Sequence, residues 1–141
     1  AAKLMPQTPW LELTLVLTDD TGITTFNEAV MGHCGVTDVI TQRYDPLPGE
    51  PRGLLGEIVV NVERAWQYGA GAIATTWSPN HELLLYIAHG CDHLSGADDA
   101  TPSERQRMRR RELNWLAKLE IADDLLTPLP NKDKKIHDCK Q

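Results

Sequence analysis

The sequence lacks the features that mark several common protein classes. Its three cysteines, Cys34, Cys91 and Cys139, lie far apart and form no CxxC pair, which argues against a disulfide framework and against a cysteine zinc knuckle. No apolar run approaches the ~18 residues of a membrane-spanning helix, and the mean hydropathy is -0.36. The chain does not open with a basic segment followed by an apolar stretch. We therefore expect a cytoplasmic protein without a membrane partner.

Length and charge restrict the organisation and the partners. A chain of 141 residues without internal repeats is the usual size of one domain, which we expect over residues 1–127. Residues 128–141 are polar and charged, and their composition predicts a disordered tail. The net charge of -6 would repel a polyanion unless basic side chains cluster. Such a cluster exists: Arg105, Arg107, Arg109, Arg110 and Arg111.

Composition and periodicity predict strands and helices. Segments rich in branched apolar residues and threonine predict strands at 11–18, 37–44 and 55–62. Helical spacing and glycine stops predict short helices at 24–31 and 63–68. Ser78-Pro79 and Thr101-Pro102 each place a capping residue before a proline, so a longer helix should begin at each. The first of these helices is apolar on nearly every face and is therefore predicted to be buried.

Two histidines on that buried helix form the strongest chemical signal. His89 and His93 lie four residues apart, so their imidazoles share one helix face about 6 Å apart along the axis. Gly96 could end the helix in a left-handed turn and bring Asp98 or Asp99 back toward the pair. This pattern predicts a zinc site. Three protein ligands would leave a fourth position for water, whose pKa zinc lowers toward ~7.

The spacing also matches the zinc peptidase pattern HExxHxxGxxH, with two differences. Gly90 occupies the position of the glutamate that serves as general base, and Asp99 occupies that of the last histidine. Without that glutamate, a peptidase function is disfavoured.

Several segments together resemble the YbeY family of bacterial metal-dependent endoribonucleases. HGCDHLSGADD, at 89–99, resembles the family signature HGxLHLxGYDH, and LGEIVV, at 55–60, resembles its LGDIVI strand. The similarity extends over about residues 11–120 through LELTLVLTDD at 11–20, Phe26-Asn27, TDVI at 37–40, and Met108 with Glu112. The chain is therefore identified as similar to this family.

The resemblance implies an α+β fold, with a mixed four-stranded sheet and a buried helix that carries the metal ligands. It implies one zinc ion held by His89, His93 and Asp99, and single-stranded RNA as substrate. The implied role is maturation of the 16S ribosomal RNA 3′ end and ribosome quality control, with ribosomal RNA or the small ribosomal subunit as partner.

Three residues depart from the family pattern. Asp99 replaces the third histidine, which adds one negative charge to the ligand set and should weaken the acidity of a bound water. Asp92 replaces a leucine between the two histidines. Met31 stands four residues after Asn27, where the family usually carries an arginine implicated in RNA cleavage. These departures leave open how well this chain cleaves RNA.

Other residues are weaker candidates. Arg43 and Asp92 are possible catalytic helpers, and Arg105 and Arg109 are candidates for binding the substrate backbone. The alternative for the arginine run is the solvent-facing side of an amphipathic helix. His81 lies too far along its helix to share the ion. The aromatic residues Trp66, Trp77 and Trp115 are interpreted as core residues, with base stacking as the alternative.

Three hypotheses follow. The first is an endoribonuclease of YbeY type, the second is a zincin-like metallopeptidase, and the third is a non-catalytic RNA- or ribosome-associated module that keeps zinc for structure. The sequence leaves open the native metal, the oligomeric state and the choice between Asp98 and Asp99.

Overall fold

The computed structural model describes residues 10–51, 53–70, 77–122 and 124–126. Its strands are β1 (Trp10–Thr18), β2 (Val39–Tyr44) and β3 (Leu54–Asn61). Its helices are α1 (Asp20–Phe26), which continues as a π-helical segment (Asn27–Met31), α2 (Val62–Ala70), α3 (Pro79–Leu94) and α4 (Pro102–Leu116). The predicted α+β class is confirmed.

The strands form a mixed sheet in the order β1-β3-β2. β1 pairs parallel to β3, and β2 pairs antiparallel to it. The described part of the chain contains three strands, so the fourth strand stays a prediction. The residues themselves indicated only three strand segments, and the number four came from the family resemblance. β3 is central and buried, whereas the side chains of Leu13 and Leu17 on β1 are about half exposed.

α3 occupies the centre of the fold, as its apolar sequence predicts. It packs against β2 and β3 and also against α2 and α4. Leu83 and Tyr86 contribute to a buried cluster with Ile58 and Val60, and its Leu85 and Ala88 pack with residues of α4 in a second cluster. Helix α3 is therefore fixed on several sides, which gives the histidines near its end a rigid support.

Gly90 permits the close approach of α3 to the sheet. A Cβ atom at this position would lie 2.8 Å from Ile58 Cγ2 and 3.1 Å from Thr41 Cγ2. A larger residue would push the helix away from β2 and β3, because packed interiors leave no room for an extra methyl group.

The element boundaries mostly follow the sequence signals. α3 and α4 begin after Ser78 and Thr101 as predicted. The first helix, in contrast, begins at Asp20 rather than at residue 24. The Asp19 carboxylate accepts a hydrogen bond from the Gly22 backbone N–H at 2.8 Å, so residues interpreted as a turn instead cap and start the helix.

Some expectations fall outside this description. The predicted tail at 128–141, and with it the end of the predicted domain at residue 127, lie outside the described residues. In the part that is described, no helix has both the length and the apolar character needed to cross a bilayer.

Candidate metal centre

The C-terminal half of α3 brings two imidazoles together. The rings of His89 and His93 meet edge to face with their centroids 4.5 Å apart. Their Nε2 atoms are 3.1 Å apart. The spacing of one helical turn therefore produces the convergence that the sequence predicts.

The turn after α3 supplies a carboxylate. Gly96 has a positive φ of 97°, a conformation that glycine adopts without steric cost. The chain then reverses so that Asp99 Oδ2 lies 3.7 Å from His89 Nε2 and 3.6 Å from His93 Nε2. The Asp98 carboxylate instead accepts a hydrogen bond from the Asp99 backbone N–H at 2.8 Å. The geometry favours Asp99 over Asp98 as the third ligand.

The hydrogen bonds of the two imidazoles determine which nitrogen carries the proton. His89 Nδ1 lies 2.8 Å from Glu112 Oε1, and His93 Nδ1 lies 3.1 Å from the Ala97 carbonyl oxygen. A carboxylate and a carbonyl both accept, so each neutral ring carries its proton on Nδ1. The two Nε2 lone pairs then face each other without a proton between them. Such a pair is stabilised by a cation.

The three groups fit a metal ion. Their ligand atoms all lie within 4.8 Å of one another, and in the described part of the chain no other group of His, Cys, Asp and Glu meets this condition. Tetrahedral zinc ligands at about 2.0–2.2 Å from the ion are roughly 3.3–3.6 Å apart. The observed separations of 3.1, 3.6 and 3.7 Å are close to this range. His89, His93 and Asp99 could therefore hold a metal ion.

Glu112 on α4 orients His89. Its side chain is 1% exposed, and its hydrogen bond to Nδ1 is the main cause of the raised pKa of His89, which partial burial opposes. Carboxylate partners of this kind fix the orientation of a ligating histidine and increase its basicity. Sequence analysis saw Glu112 only as a matching letter. Its position four residues from both Met108 and Leu116, on the buried stripe of α4, was the signal that could have found it.

Asp92 has a partner of its own. It is buried between the two histidines in sequence, and its carboxylate binds Arg111 in two places, Nε to Oδ1 and Nη2 to Oδ2, each at 2.9 Å. These contacts connect α3 to α4. The suggested helper role of Asp92 stays a prediction, and the same holds for Arg43, which is exposed on β2.

The arginines of α4 point to different partners. Arg105 donates to the backbone carbonyl oxygen of Asp99 at 2.9 Å, so it supports the metal-binding turn. Arg109 lines a cavity of about 350 Å³ that His89 also borders. Of the two candidates for substrate binding, the structure thus places Arg109 beside open space. Met31, where the family usually has an arginine, is 39% exposed and accepts a hydrogen bond from Gln42.

Gly90 and His81 have structural explanations. Gly90 faces the sheet at a point where even a Cβ would be crowded, so neither a carboxylate nor space for one exists there. His81 Nδ1 accepts a hydrogen bond from the Ser78 backbone N–H at 3.2 Å and lies 2.7 Å from its hydroxyl oxygen, which completes the start of α3. Neither residue contributes a catalytic base or a metal ligand.

Comparison with known proteins gives consistent matches. Residues 1–120 match the sequence profile of the family described as Endoribonuclease YbeY. The Endoribonuclease YbeY of Rhodopirellula baltica is 39% identical over 95 residues, which cover 67% of this chain and 47% of the relative. The one from Clavibacter michiganensis subsp. michiganensis is 37% identical over 106 residues, covering 71% and 67%. The one from Nautilia profundicola is 30% identical over 115 residues, covering 82% and 77%. The chain thus spans from about half to three quarters of these relatives.

Proposed function

Because the chain belongs to the YbeY family, we propose that it is a zinc-dependent endoribonuclease that cleaves single-stranded RNA. The catalytic centre is the group formed by His89, His93 and Asp99, which binds one zinc ion per chain. The substrate is ribosomal RNA, and the reaction contributes to maturation of the 16S 3′ end and to ribosome quality control in the cytoplasm. The small ribosomal subunit is the corresponding partner.

One observation supports the metal more than any other. Two deprotonated Nε2 atoms lie 3.1 Å apart, and the Asp99 carboxylate lies within 4 Å of both. In a protein without a cation, two lone pairs at this distance repel each other. The arrangement is maintained by partners on the far side of each ring, Glu112 and Ala97, and so is prepared for an ion before one arrives.

The protein's own groups define the rest of the chemistry. A bound zinc ion supplies a Lewis acid, which stabilises negative charge that develops on a phosphodiester during cleavage. Glu112 keeps the His89 ring in place and its Nδ1 protonated. Asp99 neutralises part of the ion's charge. Arg109 adds a cation at the neighbouring cavity, where it can hold a phosphate of the substrate.

Met31 favours a second candidate function. If the arginine normally found at this position is needed for cleavage, the chain would act as an RNA- or ribosome-associated module that uses zinc only for stability. A zincin-like peptidase is the third possibility, and Gly90 leaves it without the glutamate base on α3.

Metal analysis combined with cleavage assays separates these possibilities. Zinc-loaded protein is incubated with a single-stranded RNA that carries the 3′ end of precursor 16S RNA, with the same RNA in a duplex, and with casein. We expect internal cleavage of the single strand only, and its loss in His89→Ala. Asp98→Ala is the matched control and should retain cleavage. Intact RNA at full zinc occupancy, with His89→Ala changing only stability, would support the non-catalytic module. Casein cleavage would support the peptidase.

A further inference from the structure

A cavity of about 350 Å³ lies directly beside the metal centre and shares His89 with it. Its volume is at the lower end of the range for sites that bind small molecules. Residues from three parts of the chain line it: Asp38 just before β2, Trp77 and Glu82 at the start of α3, and Arg109 on α4. A group bound here would adjoin whatever the metal centre acts on.

The side chains of this cavity are held in fixed positions. Trp77 Nε1 donates to Glu82 Oε1 at 3.0 Å, and the Asp38 carboxylate accepts from the Val39 backbone N–H at 2.8 Å. Tyr86, on the same wall, is kept as a neutral phenol, because burial and the neighbouring Glu82 raise its pKa. The cavity therefore combines an aromatic surface with acceptors that do not need to be reoriented.

The charges of the cavity select against one part of an RNA strand and for another. Asp38 and Glu82 place two carboxylates in the cavity, which would repel a phosphate. An unstacked base carries no charge, stacks on aromatic side chains and forms hydrogen bonds through its edge. A single-stranded substrate offers such bases on either side of each phosphate.

We propose that this cavity is a nucleobase subsite, which receives the base next to the scissile phosphate and prefers adenine, guanine or cytosine to uracil. The proposal rests on the proposed endoribonuclease function. The three preferred bases carry an exocyclic amino group that donates to a carboxylate, as cytosine N4 does to Glu or Asp. Uracil lacks this group and would present carbonyl oxygens to Glu82 and Asp38. Trp77 provides the stacking surface.

Cleavage of matched oligonucleotides tests the base preference. Four single-stranded RNAs differ only in the nucleotide next to one cleavage site. One good edge contact corresponds to about tenfold discrimination or more, so we expect kcat/KM to be about tenfold lower for uracil than for the best base. Glu82→Gln keeps an oxygen for the Trp77 indole but presents an amide N–H₂ to the base. It should reduce the difference to about twofold, while zinc content stays unchanged. Glu12→Gln, on β1, is the control and should keep the preference.

Direct binding provides a second measurement that does not require cleavage. Adenosine, guanosine and cytidine, which carry no phosphate for the metal, should quench tryptophan fluorescence more strongly than uridine, and Trp77→Phe should remove the quench. Equal cleavage of all four RNAs together with no quench by Trp77 would overturn the subsite and leave the proposed activity intact. Intact RNAs together with the expected quench would support the subsite and contradict the proposed activity.

Discussion

Replacing Glu112 should weaken metal binding, although Glu112 is not itself a proposed ligand. Its Oε1 atom lies 2.8 Å from His89 Nδ1, on the opposite side of the ring from Asp99, and its side chain is 1% exposed. The hydrogen bond keeps the proton on Nδ1 and the lone pair of Nε2 directed at the ion. Without it, the ring can rotate, or carry its proton on Nε2, which blocks coordination.

The expected loss follows from the type of contact. Removing the partner of a ligating histidine typically costs about 10–100-fold in metal affinity, which corresponds to about 1.4–2.8 kcal/mol. Glu112→Gln retains an oxygen acceptor of the same shape without the charge, so its loss should be near tenfold. Glu112→Ala removes the acceptor and leaves an empty space beside a partly buried ring, so its loss should be near 100-fold.

A zinc titration in competition with a chromophoric chelator measures both variants. The free energy of unfolding of the metal-free proteins, from urea titration, separates a loss of affinity from a loss of fold. Glu12→Gln on β1 serves as the control for removing one negative charge from the chain. If both Glu112 variants bind zinc as tightly as the unsubstituted protein, the His89–Glu112 contact has no role in metal binding, and the argument for this centre is refuted.

Three further predictions concern the ligands and their support. Asp99→Ala should reduce zinc affinity by more than the roughly 100-fold expected at a residue behind a ligand, whereas Asp98→Ala should change it little, as isothermal titration will show. Zinc at about 100 times its Kd should stabilise the protein by about 2.7 kcal/mol in urea unfolding, and Asp99→Ala should lose this at the same zinc concentration. Arg111→Met should lower the unfolding free energy by about 2 kcal/mol, less than for a fully buried pair because Arg111 is 41% exposed, and adding Asp92→Leu should recover most of it with the zinc content unchanged. Gly90→Ala should destabilise by about 1–2 kcal/mol, since crowding against Ile58 outweighs the higher helix propensity of alanine; an unfolding free energy equal to that of the unsubstituted protein would contradict the close contact.

The order of elements was predictable from the sequence because its signals are local. Ser78-Pro79 and Thr101-Pro102 mark the starts of α3 and α4 through capping and the fixed φ of proline, both of which act within one turn. His89 and His93 share a helix face for the same reason. Gly96, with its positive φ of 97°, brings Asp99 within reach of them. For this part of the centre, a few neighbouring residues determine the geometry.

The sequence could not show what stands behind these groups. Glu112 lies 23 residues after His89, and Arg111 lies 19 residues after Asp92, so both contacts depend on how α4 packs on α3. Helix packing angles are determined by many side chains at once, and no local pattern encodes them. The cavity beside His89 was hidden for the same reason, since Asp38 reaches it from the loop before β2.

α4 therefore controls the centre although it contributes none of the proposed metal ligands. Adjacent residues in α4 reach two positions one turn apart in α3: Glu112 contacts His89, and Arg111 contacts Asp92. Near the start of α4, Arg105 holds the backbone of Asp99. Any shift of α4 along α3 would disturb all three contacts together, because one rigid helix carries them. Metal affinity should therefore depend on the packing between α3 and α4, and metal binding should in turn stabilise that packing, since the two are thermodynamically linked.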